Sequence, residues 1–432
     1  MLSEPQKHRD AKISVAIVGA GLSGLCLAQS LLQAGFDVHV YEREPSPHAR
    51  RQGYRITVDQ FGAGALKRCL PPRLFELVLA TASAPEDVGY FRFTNQDLGD
   101  IFKLTFKRDP QIAVQQVLGQ VDRATLRTIL LSGLQGRVHF GQAAVRAEPM
   151  SDGATLHFAD GNSTNAALVV GADGVHSALR EQLLPDCPPI DTGYRAIYGR
   201  TALIQKGRSL VPRPLENSGV FALGRPGRGF FFTSMRFNEL PQVAFARVAE
   251  DQEPPIREHY VMWAILFPQE ELRADLWKLD ARAVHHIALQ AARDFHPVLQ
   301  RFVERADVDY TIAVGLNAAR RPKEWPVSRV TLMGDAVHVM PPLGAHGGNT
   351  ALRDAALLAE KLQEAAYRGE PLEHAIKTYQ QEMIEYAFQE VESSMTMLQR
   401  STTRNPLVRW AMLRAVPWLR STVNSPLVLD TE

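Results

Sequence analysis

Three glycines near the amino terminus have the spacing of a phosphate-binding turn. Gly19, Gly21 and Gly24 form a G-x-G-x-x-G pattern between the β-branched run ISVAIVGA and the leucine-rich stretch GLSGLCLAQSLLQAG. In such a turn the first glycine permits a tight bend, the second lets a pyrophosphate approach the backbone, and the third lets helix and strand pack closely. The N-terminus of the following helix then presents free N–H groups to the phosphates. The pattern predicts a dinucleotide site; a glycine-rich turn kept only for packing is the alternative.

Two carboxylates follow predicted strands at positions where a nucleotide can meet them. Glu42 ends the second predicted strand about 20 residues after the glycines, where a carboxylate can accept hydrogen bonds from an adenosine ribose. Asp173 and Gly174 come directly after the buried run ALVVGADG. A carboxylate there must be paired or hydrogen-bonded, because removing it from water is costly. The residues alone leave two roles open for Asp173, a cofactor contact or a cap for the helix that begins near Val175.

The segment MGDAVHVMPPLGAHGGN carries the strongest signal for a flavin. Asp335 follows a hydrophobic strand, where it can accept hydrogen bonds from a polyol chain. Gly347 and Gly348 let the backbone run close to a flat ring, and Pro342 helps to stiffen the turn before them. A helix predicted over residues 350–362 would point its N-terminus at the ring and stabilise an anionic reduced flavin. This segment favours FAD over NAD as the dinucleotide.

Candidates for catalysis and substrate binding are less specific. No side chain is assigned as the catalytic group, since the flavin would carry the chemistry; His346 and Pro342 are the candidates nearest to it, and a hydrogen-bonded loop histidine is the alternative for His346. The predicted pocket residues lie on alternating stretches that also suit an ordinary core. The apolar and aromatic candidates are Tyr198, Phe230, Phe231, Phe232, Met235 and Trp263. The candidate partners for an acid or phenolate are Arg195, Arg200 and Arg236.

These residues require an α/β fold in which the chain leaves the nucleotide domain and later returns to it. The opening strand, helix and strand make one βαβ unit with a parallel sheet. From about residue 185, stretches such as GRGFFFTSMRF and YVMWAILF are typical of a mixed or antiparallel sheet. The strand-and-turn pattern returns at RVTLMGDAVH, and a long helix closes the chain. We therefore predict an FAD-binding domain from residues 11–82, 106–184 and 312–370, a substrate domain from residues 83–105 and 185–311, and a C-terminal helical segment over residues 371–432.

Composition excludes several other classes of protein. The chain has 432 residues and a formal net charge of +1, so no global field favours nucleic acid or an anionic membrane. Cys26, Cys69 and Cys187 form neither a zinc spacing nor a disulfide framework, and no metal site is expected. The polar amino terminus does not have the pattern of a signal peptide, and we expect a cytoplasmic protein. The segment NPLVRWAMLRAVPWLRSTV could lie on a membrane, but Pro417 interrupts it and favours packing on the protein itself.

Three motifs stand in order along the chain: GAGLSG near the start, GADGVHSALR in the middle and GDAVHVMPPLGAHGGN in the last third. The segment VDRATL, with Arg123, and the pair Glu42-Arg43 accompany them. Over nearly its whole length the sequence thus resembles the single-component FAD-dependent aromatic hydroxylases of the para-hydroxybenzoate hydroxylase type, which include salicylate hydroxylases and tetracycline-inactivating monooxygenases. The resemblance implies a Rossmann-like FAD-binding domain of the GR2 type, a sheet domain that covers the flavin, and a C-terminal helix that braces the two.

The resemblance also implies roles for individual residues. The glycine turn and Glu42 would hold the ADP half, Asp335 would bind the ribityl chain, and Asp173 would serve both FAD and a transient nicotinamide cofactor. The full set of implied cofactor contacts is Gly19, Gly21, Gly24, Glu42, Arg43, Arg123, Asp173, Gly174, Asp335, Gly347, Gly348 and Asn349. One departure concerns the local charge near the flavin, because many members have Gly-Gln-Gly where this chain has Ala345-His346-Gly347.

The activity implied by the resemblance is that of an FAD-dependent monooxygenase. NADPH or NADH would reduce the flavin, O2 would form a C4a-hydroperoxide on it, and one oxygen atom would pass to an aromatic or polyketide-like small molecule. An FAD-dependent dehydrogenase, oxidase or halogenase of the same fold is the alternative, although VMWAILFP does not supply the W-x-W-x-I-P segment expected of a halogenase. A non-catalytic FAD-binding protein is a further alternative. No nucleic-acid partner is expected, and the oligomeric state is left open.

Overall fold

The structure is a computed structural model. It describes residues 12–47, 49, 54–84, 90–105, 119–249, 252–272, 276–323 and 325–415. The strands in chain order are β1 (Ser14–Val18), β2 (Asp37–Glu42), β3 (Arg55–Val58), β4 (Tyr90–Asn95), β5 (Asp100–Thr105), β6 (Gly119–Asp122), β7 (Val138–Phe140), β8 (Ala144–Pro149), β9 (Ala154–Phe158), β10 (Ser163–Ala166), β11 (Leu168–Gly171), β12 (Ile190–Ala202), β13 (Ile204–Gln205), β14 (Arg208–Ser209), β15 (Ser218–Leu223), β16 (Gly229–Met235), β17 (Tyr260–Pro268), β18 (Ile312–Ala318) and β19 (Val330–Leu332).

Helices connect these strands and close the chain. In chain order they are α1 (Leu22–Gln33), α2 (Gln60–Cys69), α3 (Pro72–Thr81), α4 (Arg123–Leu131), α5 (Ala178–Leu183), α6 (Pro241–Val248), α7 (Ala281–Ala292), α8 (Pro297–Glu304), α9 (Asp335–His338), α10 (His346–Arg368), α11 (Leu372–Ser401) and α12 (Pro406–Trp410). Among the described residues no helix combines the length and the apolar character that a membrane crossing requires.

A five-stranded parallel sheet forms the base of the nucleotide domain. Its order is β19-β11-β1-β2-β7, so three strands that are far apart in sequence lie side by side. The inner strand β11 is buried at every position, which explains why it reads as one apolar run in the sequence. The predicted Rossmann-like domain built from discontinuous segments is confirmed.

A seven-stranded mixed sheet forms the second layer, in the order β18-β12-β17-β16-β15-β4-β5. Only the β15–β4 pair is parallel among its described pairings. The central strand β17 is buried at all nine positions because α7 and α8 pack on one face and the other face looks inward. The boundary predicted at residue 311 needs correction, since β18 pairs with β12 and carries the sheet on through Ala318.

The long helix α11 contacts both layers. Tyr379 and Met383 are buried in the core of the nucleotide domain, where the Tyr379 hydroxyl donates to the carbonyl of Leu332 at 3.0 Å. One end of the same helix buries Leu398 in the core beneath the seven-stranded sheet. This arrangement confirms the bracing C-terminal helix that the family resemblance implied. Of the segment that follows it, Trp410 is exposed and Pro417 lies outside the described residues.

Candidate functional site

The glycine turn between β1 and α1 is shaped by close backbone contacts. Gly19 has a φ of +104°, and a Cβ on it would lie 2.4 Å from the carbonyl oxygen of Ala172. A Cβ on Gly24 would lie 2.3 Å from the carbonyl oxygen of Gly19, so helix and strand pack too closely for any side chain. Gly21 has open space instead and lines a large cavity. The first and third glycines therefore serve packing, and the second leaves a path for a ligand along the helix N-terminus.

Glu42 lies at the end of β2 beside this turn. Its Oε2 accepts a hydrogen bond from the backbone N–H of Ala20 at 2.7 Å, and its Oε1 accepts one from Glu44 at 3.0 Å. These bonds hold the carboxylate at the cavity wall, where Arg43 also lies. The remaining lone pairs of the carboxylate can accept ligand hydroxyls, so the ribose contact stays a prediction that this position allows.

The two oxygens of Asp173, a residue at the cavity wall, have different surroundings. Its Oδ2 accepts from the backbone N–H of Ala178 at 3.0 Å, while Oδ1 is buried with no hydrogen-bond partner in the described residues. The cap of α5 is Ser177, whose hydroxyl accepts from the N–H of Arg180 at 2.9 Å. Burial raises the pKa of Asp173. An unsatisfied buried carboxylate oxygen in a residue at a cavity wall is suited to a ligand donor, so the cofactor contact stays a prediction, while the bond from Ala178 ties Asp173 to the start of α5.

The Asp335 turn stands at the end of β19, next to the glycine turn. Asp335 is exposed and lines the cavity, as the sequence predicted for a ribityl contact. The helix predicted from residue 350 is α10, and it begins at His346 instead. Gly347 and Gly348 therefore lie in the first helical turn, where unpaired N–H groups face outward. Both glycines line the cavity.

Asn349 explains the early start of α10. Its Nδ2 donates to the carbonyls of Thr57 and Ala345 at 2.9 Å each, and its Oδ1 accepts from the N–H of Asp59 at 3.1 Å. These bonds fasten the first turn of α10 to β3 and α2. The Asn349 side chain is thus committed to the protein, and only the backbone around it remains for the predicted approach to a flavin ring.

The two catalytic candidates lie in the same loop but in different surroundings. Pro342 is exposed at the cavity wall. His346 also lines the cavity, but its Nδ1 lies 2.7 Å from a carboxylate oxygen of Glu390 on α11. Ala345 before it adopts the left-handed conformation with φ +61°, which glycine tolerates better. The turn thus keeps a left-handed conformation at this position although the residue is alanine, where many family members have glycine.

Arg123 begins α4 and lies at the cavity wall next to Tyr54. Its Nη1 donates to the Tyr54 hydroxyl at 3.0 Å, and the guanidinium also lies over that ring, with 5.5 Å to its centre. Among the described residues no salt bridge involves it. The charge of Arg123 is therefore available to a bound phosphate or ribityl oxygen, as the resemblance implied.

All these groups face one cavity of about 1810 Å³ between the two sheets. Single small-molecule sites are typically about 300–1,000 Å³, so this space can hold a dinucleotide and a second ligand together. Gly19, Gly21, Glu42 and Asp173 line this cavity together with Asp335 and the first turn of α10. The residues present thus fit FAD, because donors, acceptors and bare backbone follow one another along a single path.

Part of the predicted substrate pocket is wrong, because some of the predicted residues do not line the cavity. Tyr198 and Phe231 line the cavity, together with Met262 of β17. Phe232 and Trp263 do not, since both are fully buried in the core between the sheet and helices α7 and α8. Neighbouring strand residues point to opposite faces, so the residue after Phe231 must face away from the cavity.

The remaining predicted pocket residues divide in the same way. Phe230 lies in the outer core with Phe232, and Met235 is buried inside without lining the cavity. Neither Arg236 nor Arg200 lines the cavity, because each forms a salt bridge elsewhere, Arg236 with Glu216 and Arg200 with Asp307. Arg195 does line it and forms a bidentate pair with Asp191 at 2.7 and 2.8 Å.

Comparison with protein families decides the class. The model of an FAD-binding domain family matches residues 138–394, and an NAD(P)-binding Rossmann-like domain model matches residues 17–66. A 3-amino-4-hydroxybenzoate 2-monooxygenase of Streptomyces platensis is 30% identical over 81% of this chain and 80% of its own length. The chain belongs to the FAD-dependent aromatic monooxygenases.

Other relatives in this monooxygenase family agree. The 6-hydroxynicotinate 3-monooxygenase of Pseudomonas fluorescens is 28% identical over 84% of this chain and 86% of that protein. A dual O-methyltransferase/FAD-dependent monooxygenase of Phaeosphaeria nodorum is 31% identical over 85% of this chain. The chain spans only 42% of the length of that dual protein.

Solved structures show the same monooxygenase fold. A Photorhabdus luminescens protein proposed to be an FAD-containing monooxygenase superposes with a TM-score of 0.75 at 28% identity, covering 90% of this chain and 99% of the other. The HpxO protein of Klebsiella pneumoniae, solved with FAD and uric acid, has a TM-score of 0.72 at 20% identity, covering 94% and 92%. The second match supports the fold alone.

Two features of this monooxygenase escaped the sequence analysis. Arg55 on β3 lines the cavity, and its place in GYRITV, a cation inside a short apolar strand, was the available signal. The other is a buried network around Asp354, whose Oδ2 lies 2.6 Å from Nε2 of His338 and whose Oδ1 accepts from the Tyr386 hydroxyl at 2.6 Å. The N–H of Gly334 also donates to that carboxylate at 2.8 Å, which ties the network to the Asp335 turn.

Proposed function

We propose that this chain catalyses the insertion of one oxygen atom from O2 into an aromatic or polyketide-like small molecule, with NADPH or NADH as the transient reductant of FAD. The observation that carries the proposal is the single cavity that runs from the glycine turn to the aromatic face of the seven-stranded sheet. Cofactor and substrate would share one enclosure, which shortens their separation and excludes water from the reaction.

Binding of the ADP half would depend on the glycine turn. The backbone at Gly21 and the N-terminus of α1 would meet the pyrophosphate, and the fixed Glu42 carboxylate would accept the ribose hydroxyls. Arg43 and Arg123 would contribute positive charge to the same region. The free oxygen of Asp173 would accept a further hydrogen bond beside Gly174.

Binding of the flavin half would depend on the Asp335 turn and the first turn of α10. Asp335 would accept hydroxyls of the ribityl chain, and the backbone of Gly347 and Gly348 would lie against the ring. The positive end of the α10 dipole would stabilise negative charge that forms on it during reduction. When bound, FAD would supply electron transfer from the nicotinamide and the activation of O2.

The comparisons support an aromatic substrate for this chain. Two relatives are named for 6-hydroxynicotinate and 3-amino-4-hydroxybenzoate, both hydroxylated aromatic rings. Phe91, Phe231 and Met262 give this chain an apolar wall on which a flat ring can stack. The free thiols of the three cysteines support a reducing compartment such as the cytoplasm.

The experiment that tests this function is turnover by the FAD-loaded protein. Phenols, polyketides and indole-type compounds are screened for stimulated oxidation of NADPH and of NADH, with O2 uptake and mass detection of the product. We expect at least one compound to stimulate both NAD(P)H and O2 consumption and to gain one oxygen atom. NAD(P)H oxidation without O2 uptake would instead show that the electrons pass to the compound itself, and O2 uptake without a product that gains oxygen would show an oxidase.

A glycine variant tests whether the cofactor occupies the predicted path. Gly21→Ala adds a methyl group where no protein atom lies within 4 Å, so the chain should fold as before. The methyl group would meet the pyrophosphate instead, and we expect FAD affinity to fall by about tenfold to a hundredfold. Gly64→Ala is the matched control, because a Cβ there is equally free of contacts but lies on α2 away from the cavity. Equal FAD affinity in both variants would contradict the assignment.

A further inference from the structure

Arg55 presents a positive charge to the substrate side of the cavity. Its Nη1 donates to the hydroxyl of Thr57 at 2.7 Å, and its buried Nε has no hydrogen-bond partner in the described residues. The guanidinium lies 5.2 Å from the ring centre of Phe231 on the facing sheet. Burial lowers the pKa of Arg55 to about 10, which leaves it a cation at neutral pH. Among the described residues no salt bridge involves Arg55, and a half-buried cation without an anion is costly, which makes this arginine suited to an anionic ligand.

The nearest carboxylate along the strand ladder does not neutralise Arg55. Asp122 lies directly opposite it in the β3–β6 pairing. Both oxygens of Asp122 are otherwise engaged, one by the N–H and hydroxyl of Thr125 at 2.7 and 2.8 Å, the other by the Tyr260 hydroxyl at 2.8 Å. Arg195, also at the cavity wall, differs from Arg55 because it is already neutralised by Asp191.

Tyr198 supplies a neutral donor on the facing sheet. Its ring stacks on that of Tyr54, with 5.2 Å between the ring centres, which fixes it at the cavity wall. Burial raises the pKa of the Tyr198 hydroxyl, so the group keeps its proton and can donate a hydrogen bond. Arg55 and Tyr198 thus bring a charged and a neutral donor to the same region from two different sheets.

We propose that Arg55 and Tyr198 bind an ionised oxygen of the substrate, either a carboxylate or an acidic ring hydroxyl, and so select planar aromatic anions. The proposal rests on the proposed function, since it names the class of molecule that the monooxygenase takes. Phe231 stacks on the substrate ring while the guanidinium meets its charged edge. A neutral ring of the same shape leaves Arg55 without an anion and binds more weakly.

Matched acid and neutral probes test this on the FAD-loaded enzyme. The pairs are 6-hydroxynicotinate with 6-hydroxynicotinamide, 3-amino-4-hydroxybenzoate with its amide, and 4-nitrophenolate with 4-nitroanisole. Dissociation constants come from changes in the flavin absorption spectrum. The first two pairs report on a carboxylate and the third on an ionised hydroxyl. The variants are Arg55→Gln, Arg55→Lys and Tyr198→Phe, and Arg225→Gln, an exposed arginine outside the cavity, is the control.

In the wild type and Arg225→Gln we expect the anion of at least one pair to bind about tenfold or more tightly than its neutral partner. Arg55→Gln should bring that ratio close to one while FAD affinity stays unchanged; Arg55→Lys should keep part of it, and Tyr198→Phe should reduce it. A wild type without anion preference overturns the proposal, as does an Arg55→Gln variant that keeps the ratio or loses FAD instead. Failure of the wild type to bind FAD at all would count against the proposed function.

Discussion

At the residue scale, His338 and Asp354 form a buried pair of titratable side chains outside the cavity. Both side chains are fully buried, and Nε2 of His338 lies 2.6 Å from the carboxylate. Burial alone would lower the pKa of His338, but the charge and hydrogen bond of Asp354 outweigh it and raise that pKa above its ordinary value. The pair therefore fixes α9, which carries Asp335, against α10.

This pair predicts a stability that depends on pH. Because the folded-state pKa of His338 is raised, its contribution is fully present below the ordinary histidine value and is lost as pH rises through the folded value. We expect His338→Gln to lower the free energy of unfolding by about 3–5 kcal/mol near pH 6, the cost typical of breaking a buried ion pair. The difference from wild type should shrink as the pH rises above the ordinary histidine pKa and through the raised pKa of the folded state.

Urea unfolding of the FAD-loaded proteins across this pH range measures the effect. His286→Gln serves as the control, because that histidine is exposed on α7 and lies in no ion pair of the described residues. It should leave the free energy of unfolding within about 0.5 kcal/mol at every pH. A loss in His338→Gln that stays constant or grows with pH would show that the protonated pair does not carry the stability.

At the element scale, β16 shows how one strand serves two purposes. Phe231 faces the cavity and stacks on Phe91 with 6.0 Å between ring centres. Phe232 points the opposite way and packs with its ring tilted against that of Phe302 of α8, with 5.1 Å between ring centres. The strand thereby links the substrate wall to the outer core.

The two neighbouring phenylalanines should respond differently to the same truncation. Phe232→Ala leaves a void in a fully buried core, and we expect it to lower the free energy of unfolding by about 3–5 kcal/mol. Phe231→Ala should cost much less stability, because its ring borders the cavity, but it should raise KM for an aromatic substrate. Urea unfolding and steady-state kinetics separate the effects. Equal destabilisation by both variants would contradict the assignment of faces.

At the scale of the whole molecule, the cavity exists only because two sheets are held together. Helix α11 contributes to the cores of both layers, and β3 and β6 lie between them with Arg55 at the cavity wall. A ligand that spans this cavity should therefore stabilise both layers at once. We therefore expect the site and the bracing helix to unfold as a single cooperative unit.

We expect FAD to raise the stability of the whole chain in one transition. At a free FAD concentration of about 100 times its Kd, the free energy of unfolding should increase by about 2.7 kcal/mol. Calorimetry and tryptophan fluorescence should give coincident transitions that shift together with FAD. At the same concentration Gly21→Ala should gain only about 0.4–1.4 kcal/mol, because its affinity for FAD is expected to be about tenfold to a hundredfold weaker. Two separate transitions, only one of them sensitive to FAD, would show that the layers unfold independently.

Much of the cofactor site could be predicted from the sequence because its signals are local. The spacing of Gly19, Gly21 and Gly24 predicts where the backbone bends tightly and where it must carry no side chain. Glu42 follows at the end of the next strand. Asp335 and the glycines after it could be found in the same way. The role predicted for each of these residues depends on its position at a strand end or in a turn, and the adjacent residues in the sequence are enough to predict that position.

The substrate side could not be read in this way. Alternation along β16 and β17 predicted strands, but both faces are buried, so the pattern alone could not say that Phe231 faces the cavity and Trp263 the outer core. Likewise, the start of α10 at His346 depends on the bonds that Asn349 makes to β3 and α2.

The sequence by itself determined the α/β class, the dinucleotide turn and the family, because those depend on backbone conformation and on spacing along the chain. The tertiary structure alone decided which of the candidate residues line the cavity. Whether Arg55 is neutralised depends on which groups the Asp122 carboxylate contacts. Whether an aromatic ring contacts a ligand depends on which layer packs against that ring. Those are contacts between segments far apart in sequence, and no local pattern encodes them.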